Sequence, residues 1–266
     1  MPIDQQSWKT IVSSSSYAAA HWTEHGIADV LPHEEIALPS RFDGVYGGLY
    51  DTVIHHRQIR SAAGLLWGRG SALSFLDELF DRAFAGLHAD DMVLDVPCGG
   101  GTTIRAAADR GIQTTIIGCD LSMAMLERAQ RVAESCTTRS LLVRADALHL
   151  PFRDHCMQRA ISINGLHCID DPSALLSELA RVLVPGGELW MTTLVSSDSR
   201  RHMAIMAAAH RAGIIPGPAP TRQAIERMAR TAGFDQVDDM GGVGIAALRL
   251  TTQRRDAVSD DPPSRA

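Results

Sequence analysis

From residue 92 onward the chain alternates between short, almost continuously apolar blocks and longer amphipathic ones. Residues 92–96, 114–119, 141–144, 159–163 and 188–195 read as strands, because short runs rich in Val, Ile and Leu suit strands buried on both faces. Residues 102–110, 122–134 and 172–183 read as helices between them. Gly111 stands where the first of these would be capped, and Pro172 falls in the first turn of the third. Pro185-Gly186-Gly187 reads as a turn. Strands alternating with helices predict a parallel sheet with right-handed crossovers. The last third departs from this rhythm: residues 200–212 and 221–232 look helical, and residues 234–238 and 244–250 look like strands that pair antiparallel.

Ahead of the sheet the apolar spacing is helical. Leu49, Val53, His56, Arg60, Ala63 and Leu66 form one set, and Leu73, Leu76, Leu79, Phe80 and Ala83 form a second after Gly70 and Ser71. Residues 1–43 are weakly patterned and carry Ser13 to Ser16, Pro32 and Pro39, which predicts a loosely docked, flexible N-terminal arm. Four segments follow: the arm at 1–43, a helical cap at 44–85, a Rossmann-like domain at 86–252, and a charged, Pro-rich, disordered tail at 253–266. The fold class is α/β: a mostly parallel seven-stranded sheet with an antiparallel last strand, plus an N-terminal helical cap.

Composition narrows the function. Of 266 residues, 45 % are hydrophobic, enough for a sizeable core. The net charge is −6 and there is no basic block, which argues against a nucleic-acid partner. The five cysteines (98, 119, 136, 156 and 168) are odd in number and include no C-x-x-C, which fits a reducing, cytoplasmic setting better than a disulfide framework. No apolar run is long enough to span a membrane, and residues 1–9 lack the apolar core of a signal peptide.

The chemistry gathers at strand ends. Val93-Leu94-Asp95-Val96-Pro97-Cys98-Gly99-Gly100-Gly101-Thr102 is a buried strand ending in an acid, then a Gly-rich turn, then a helix start. In open α/β sheets ligands bind at the C-terminal strand ends, and a helix N-terminus offers unpaired N–H groups. An ordinary tight turn would look similar. Asp120 ends the next strand, about twenty residues on, where an acid can accept ribose hydroxyls or cap the following helix. The three glycines are contiguous and do not complete G-x-G-x-x-G, which weakens a dinucleotide reading. Asp146 and Ala147 follow the third strand, where an acid and a backbone N–H can meet an adenine edge; a solvent-facing loop acid is the plain alternative. His21 and His25 share an i, i+4 spacing with no third ligand, so no metal site is expected.

Together with Ile161 through Pro172 and Arg181-Val182-Leu183-Val184-Pro185-Gly186-Gly187-Glu188-Leu189, these segments resemble the class I methyltransferases that use S-adenosylmethionine (SAM). The likeness is to the small-molecule group that includes ubiquinone/menaquinone C-methyltransferases, and it covers roughly residues 90–250. It implies the Rossmann-like methyltransferase fold and SAM as cofactor. By that resemblance Asp95 and Gly99 lie by the methionine amino group, with Pro97, Cys98, Gly101 and Thr102 completing the turn. Asp120 holds the ribose, Leu121 packs on adenine, Asp146 and Ala147 read its edge, and the Asn164 backbone lines the methionine end. Pro97 stands where the family usually has glycine, and proline has no N–H to donate.

Methyl transfer from a sulfonium needs positioning and, for some acceptors, a base. His167, after the fourth strand, is the candidate base, with packing within its loop as the alternative. His55 and His56 fall on the cap. Asn164-Gly165-Leu166-His167 lacks the proline pair typical of enzymes that methylate DNA base amines, which again disfavours nucleic acid. The expected partner is a small apolar or aromatic methyl acceptor, bound by residues 45–85 and 196–222, with a homodimer as the one protein assembly left open. The rivals are a SAM-binding enzyme of the same fold catalysing another reaction, a SAM-binding protein without turnover, and an NAD(P)-dependent oxidoreductase.

Overall fold

The structure, a computed structural model, describes residues 5–31, 72–211, 218–242 and 244–253. The first predicted cap helix, His55, His56 and the C-terminal tail beyond residue 253 lie outside the described residues. Eight α-helices, one short 3-10 helix (Leu166–Cys168) and nine strands are described: α1 (Gln5–Ile11), α2 (Ser14–Ala19), β1 (His21–Trp22), β2 (Ala28–Asp29), α3 (Ala72–Phe84), β3 (Met92–Asp95), α4 (Thr102–Asp109), β4 (Thr115–Asp120), α5 (Met123–Glu134), β5 (Ser140–Arg144), β6 (Met157–Ile163), α6 (Pro172–Val182), β7 (Leu183–Leu194), α7 (Arg200–Arg211), α8 (Arg222–Ala232), β8 (Phe234–Asp239) and β9 (Ile245–Thr252).

The strands form one sheet in the order β1-β2-β5-β4-β3-β6-β7-β9-β8. Strands β2 to β7 run parallel to their neighbours within this order, and β9, last in the chain, is antiparallel to both β7 and β8. Successive residues of a strand face opposite sides, so each central strand serves two cores. Leu94, Ile117, Leu141 and Val143 face a cluster completed by α6 and α8. Val93, Ile116 and Leu142 face a second, completed by α3, α4 and α5. That double burial is why these strands read as unbroken apolar runs.

Two expectations are corrected. Residues 5–31 are not a loose arm: Trp8 and Val12 are fully buried, Trp22 packs edge-on against Trp8 at 5.7 Å, and β2 pairs with β5. The sheet therefore has nine strands where seven were expected. The signal was weak because only a few apolar side chains anchor this segment. His21 lies in β1 and His25 in the turn after it. A third difference is smaller. Pro185-Gly186-Gly187 does not end a strand but bulges within β7, which pairs Leu183 with Met157 and Glu188 with Arg159.

The chain order places the site. From β3 it winds outward through β4 and β5, then returns to β6 on the other side of β3. The crevice at this reversal lies beyond the C-terminal ends of β3 and β6, where open α/β sheets bind ligands.

Candidate active site

Asp95 ends β3 at that reversal and is 1 % exposed. Its Oδ2 makes no hydrogen bond. Burial without a partner disfavours the charged carboxylate. Desolvation therefore raises the Asp95 pKa to about 8, a hydrogen bond from Thr103 offsets this in part, and the nearby Asp120 charge adds to it. A buried acceptor left unmet at a crevice is what a cationic ligand group would satisfy.

The glycine turn is held from both sides. Cys98 N–H donates to the Cys119 carbonyl at 2.9 Å, and Gly99 N–H donates to Asp120 Oδ2 at 2.9 Å. Gly99 has φ 51°, and a Cβ there would meet only open space. Gly101, with φ 88°, abuts α5: a Cβ would lie 3.0 Å from the Ala129 Cα. Gly101 is thus required by packing between turn and helix, whereas Gly99 leaves the crevice open. Thr102 opens α4, but it is Thr103, not singled out from the sequence, that reaches Asp95. Pro97 turns its ring toward Gly165, where a Cβ would collide with it and lie 2.6 Å from Ser162 Oγ. Its missing N–H falls between bonds made by Val96 N–H to the Ile161 carbonyl and by Cys98 N–H. Cys98 and Cys119 are buried, and burial pushes both thiols up, so neither is a thiolate.

Asp120 ends β4. Its Oδ1 accepts from Ser122 N–H at 2.9 Å, while Ser122 itself caps α5 by accepting from Met125 N–H. The helix-cap role thus belongs to Ser122. Asp120 thus holds the N–H groups of both Gly99 and Ser122. Leu121 projects beside it, 46 % exposed, a large apolar surface at the crevice edge. Asp146 accepts from Leu148 N–H at 2.9 Å and lies 3.2 Å from His149 Nδ1, an arrangement typical of a loop acid; Ala147 is buried.

On the β6 side, Asn164 adopts a left-handed backbone at φ 56°, uncommon for a residue other than glycine. Its N–H reaches the Thr192 carbonyl and hydroxyl at 2.9 and 3.0 Å, and Thr192 Oγ1 donates to Asn164 Oδ1 at 3.1 Å. His167 Nδ1 accepts from Leu194 N–H at 3.3 Å and lies 3.2 Å from Thr193 Oγ1. Accepting at Nδ1 leaves the neutral ring's proton on Nε2. Burial lowers the His167 pKa to about 4. Such a ring is a donor, not a strong base, so this geometry favours a positioning role. Replacing His167 with Gln should lower the turnover rate less than tenfold, against about 10²–10⁴-fold for loss of a general base. It should also leave no titration near pH 6.5 to be removed from the rate profile; a hundredfold loss with disappearance of such a titration would restore the base. His202, unmarked in the sequence analysis, is 4 % exposed and donates from Nε2 to the Val195 carbonyl at 2.9 Å.

The structure therefore brings Asp95, Gly99 and Asp120 together at the ends of β3 and β4, with Leu121 at the rim, and sets Asn164 and His167 across the crevice beyond β6. Among the described residues no group of three His, Cys, Asp or Glu side chains is placed to hold a metal, and no helix is long and apolar enough to cross a membrane.

This sheet order with an acid-lined crevice defines the Rossmann-like fold of class I methyltransferases. Residues 93–187 match the family described as "Methyltransferase domain". A demethylmenaquinone methyltransferase of Thermobifida fusca is 35 % identical over 103 residues, which is 38 % of this chain and 43 % of that protein. The chain spans about half or less of the length of the first such relatives. Among solved structures, Haemonchus contortus phosphoethanolamine N-methyltransferase 2, in complex with S-adenosylhomocysteine, superposes with a TM-score of 0.58 at 16 % identity over 79 % of this chain and 61 % of that one. The (4+2)-cyclase SpnF superposes with a TM-score of 0.59 at 19 % identity over 82 % of this chain and 99 % of that one.

Proposed function

We propose that the protein transfers a methyl group from SAM to a small, apolar or aromatic metabolite. The observation that carries this is the unmet, buried Asp95 Oδ2 beside a glycine turn pinned by Asp120, with exposed Leu121 next to it. These groups fit SAM: a carboxylate for its ammonium, an acid for its ribose, an apolar side chain for its adenine. When bound, SAM supplies a methyl group on a positively charged sulfur.

The chain's residues do the rest. Asp95 accepts from the amino group, and Gly99 keeps the crevice clear of side chains. Asp120 receives the ribose hydroxyls while holding Gly99 and Ser122. Leu121 covers one adenine face, and Asp146 and Ala147 meet its edge. Asn164, held by Thr192, shapes the methionine end. The acceptor binds beyond β7, where Leu194, Met206 and Ala219 form a small apolar cluster and Met203 is 38 % exposed. A small acceptor, not nucleic acid, and a cytoplasmic setting are supported by the net charge of −6, the lack of a basic block and the free cysteines.

The first experiment is calorimetric titration with SAM and, separately, NADH, followed by mass analysis of products from candidate acceptors. Micromolar SAM binding, no NADH binding and a product heavier by one methyl group are expected. SAM binding with a product of unchanged mass would favour the rearranging or cyclising alternative, which the likeness to SpnF keeps in view. Absence of SAM binding would sink both.

A further inference from the structure

Arg144 ends β5 and is only 7 % exposed, an unusual place for a guanidinium. Its Nη1 pairs with Asp29 Oδ2 at 3.2 Å, and both side chains are largely buried. Its Nε donates to the Leu121 carbonyl at 3.1 Å. Asp29 lies in β2, directly opposite Arg144 in the parallel ladder, and Val30 N–H donates to the Arg144 carbonyl at 3.1 Å. The other oxygen of Asp29 accepts from Leu31 N–H at 3.1 Å. One buried cation thus ties the N-terminal segment to the residue expected to cover the adenine. Asp29 also stands well ahead of the segment, beginning at residue 93, that matches the methyltransferase domain.

We propose that Asp29 and Arg144 are positioning residues for the adenosine half of the SAM site, acting through the carbonyl of Leu121. This rests on the SAM reading above. The backbone of the turn from Asp120 to Ser122 is held by Ala145 N–H on the Asp120 carbonyl at 3.1 Å, by Asp120 Oδ1 on Ser122 N–H, by Leu126 N–H on the Ser122 carbonyl at 3.1 Å, and by Arg144 Nε on the Leu121 carbonyl. The last depends on a charge that water reaches poorly, so it holds only while its counter-charge is present. Remove the Asp29 charge and the guanidinium gains by moving toward solvent, which releases the Leu121 carbonyl. Leu121, already exposed, then loses its fixed direction. Docking of the N-terminal segment is in this way part of building the cofactor site, not only cover for the edge of β5.

The test uses the full chain and two variants, Asp29→Asn and Arg144→Lys. Asparagine keeps the shape of Asp29 without its charge. Lysine keeps a charge for Asp29 but cannot fork to the Leu121 carbonyl in the manner of arginine. Each is titrated with SAM and with 5′-methylthioadenosine, which lacks the amino-acid part. Ile225→Val, a mild trimming of a fully buried side chain on α8, serves as a control for lowered stability alone. Both site variants should bind both ligands about threefold to thirtyfold more weakly, the range for residues that act without touching ligand. The control should bind as the unaltered chain does. Wild-type affinity in both site variants, or a loss matched by Ile225→Val, would overturn the proposal. Failure of the unaltered chain to bind SAM would instead bring down the SAM reading, and this inference with it.

Discussion

Replacing Asp95 with asparagine is expected to abolish useful SAM affinity while making the ligand-free protein more stable at pH 8. Truncating one partner of a buried charge pair costs about 2–5 kcal/mol, so binding should weaken by roughly thirtyfold to several thousandfold. The stability effect runs the other way. Burial raises the carboxyl from 3.8 in the free residue to about 8 in the folded protein. Below about pH 4 both folded and unfolded chains carry the proton. Between about pH 4 and 8 the unfolded chain gives it up and the folded chain keeps it. Folding then becomes less favourable as pH rises through this window, and the loss is complete above the folded pKa. Asparagine does not titrate, so the variant lacks that slope. The ceiling on its advantage at pH 8 is about 5 kcal/mol, since one pKa unit is worth about 1.4 kcal/mol; the buried amide hydrogens it introduces reduce the gain. Thermal unfolding of both proteins from pH 4 to 9 gives the answer. Midpoints that stay parallel across the range would show that Asp95 is not held protonated. The same physics predicts proton release when SAM binds near pH 7, because the ammonium would draw Asp95 into its charged form.

Asp120→Ala should cost both affinity and stability. Its carboxylate holds Gly99 N–H and Ser122 N–H, and both lose their acceptor in the variant. Each donor left unmet costs about 1–3 kcal/mol if water cannot reach it. The proposed ribose contacts go as well, and hydrogen bonds to a charged group contribute about 1.5–3 kcal/mol, so SAM binding should fall at least tenfold to a hundredfold. Calorimetry on the folded variant measures this. Affinity within threefold of the unaltered chain would show that Asp120 serves only the turn. Asp120 and Asp95 would thus separate in opposite directions: one supports the resting fold, and the other weakens it for the sake of a ligand.

Much of this architecture follows from local chemistry. The strands and helices from residue 92 onward were legible because doubly buried strands leave unbroken apolar runs and amphipathic helices leave a 3.6-residue period. Gly111 after α4, Pro172 at the start of α6 and the antiparallel β8–β9 pair were legible for similar reasons. So was the placement of these residues at neighbouring strand ends, since an acid and glycines at the end of a first strand, and a second acid at the end of the next, place themselves once the sheet is parallel. Other facts depend on groups distant in sequence meeting in space. Trp8 and β2 complete the sheet through contacts with residues more than a hundred positions away, and a few scattered apolar side chains carry no periodic signal. The Thr103 bond to Asp95, the Thr192 bonds that hold Asn164, and the Leu194 N–H that His167 Nδ1 accepts were likewise invisible in one dimension. The sequence by itself determined the class of sheet and the acids at its edge. Only the tertiary structure decided their protonation and partners, because both depend on how far water is excluded and on which dipoles take its place.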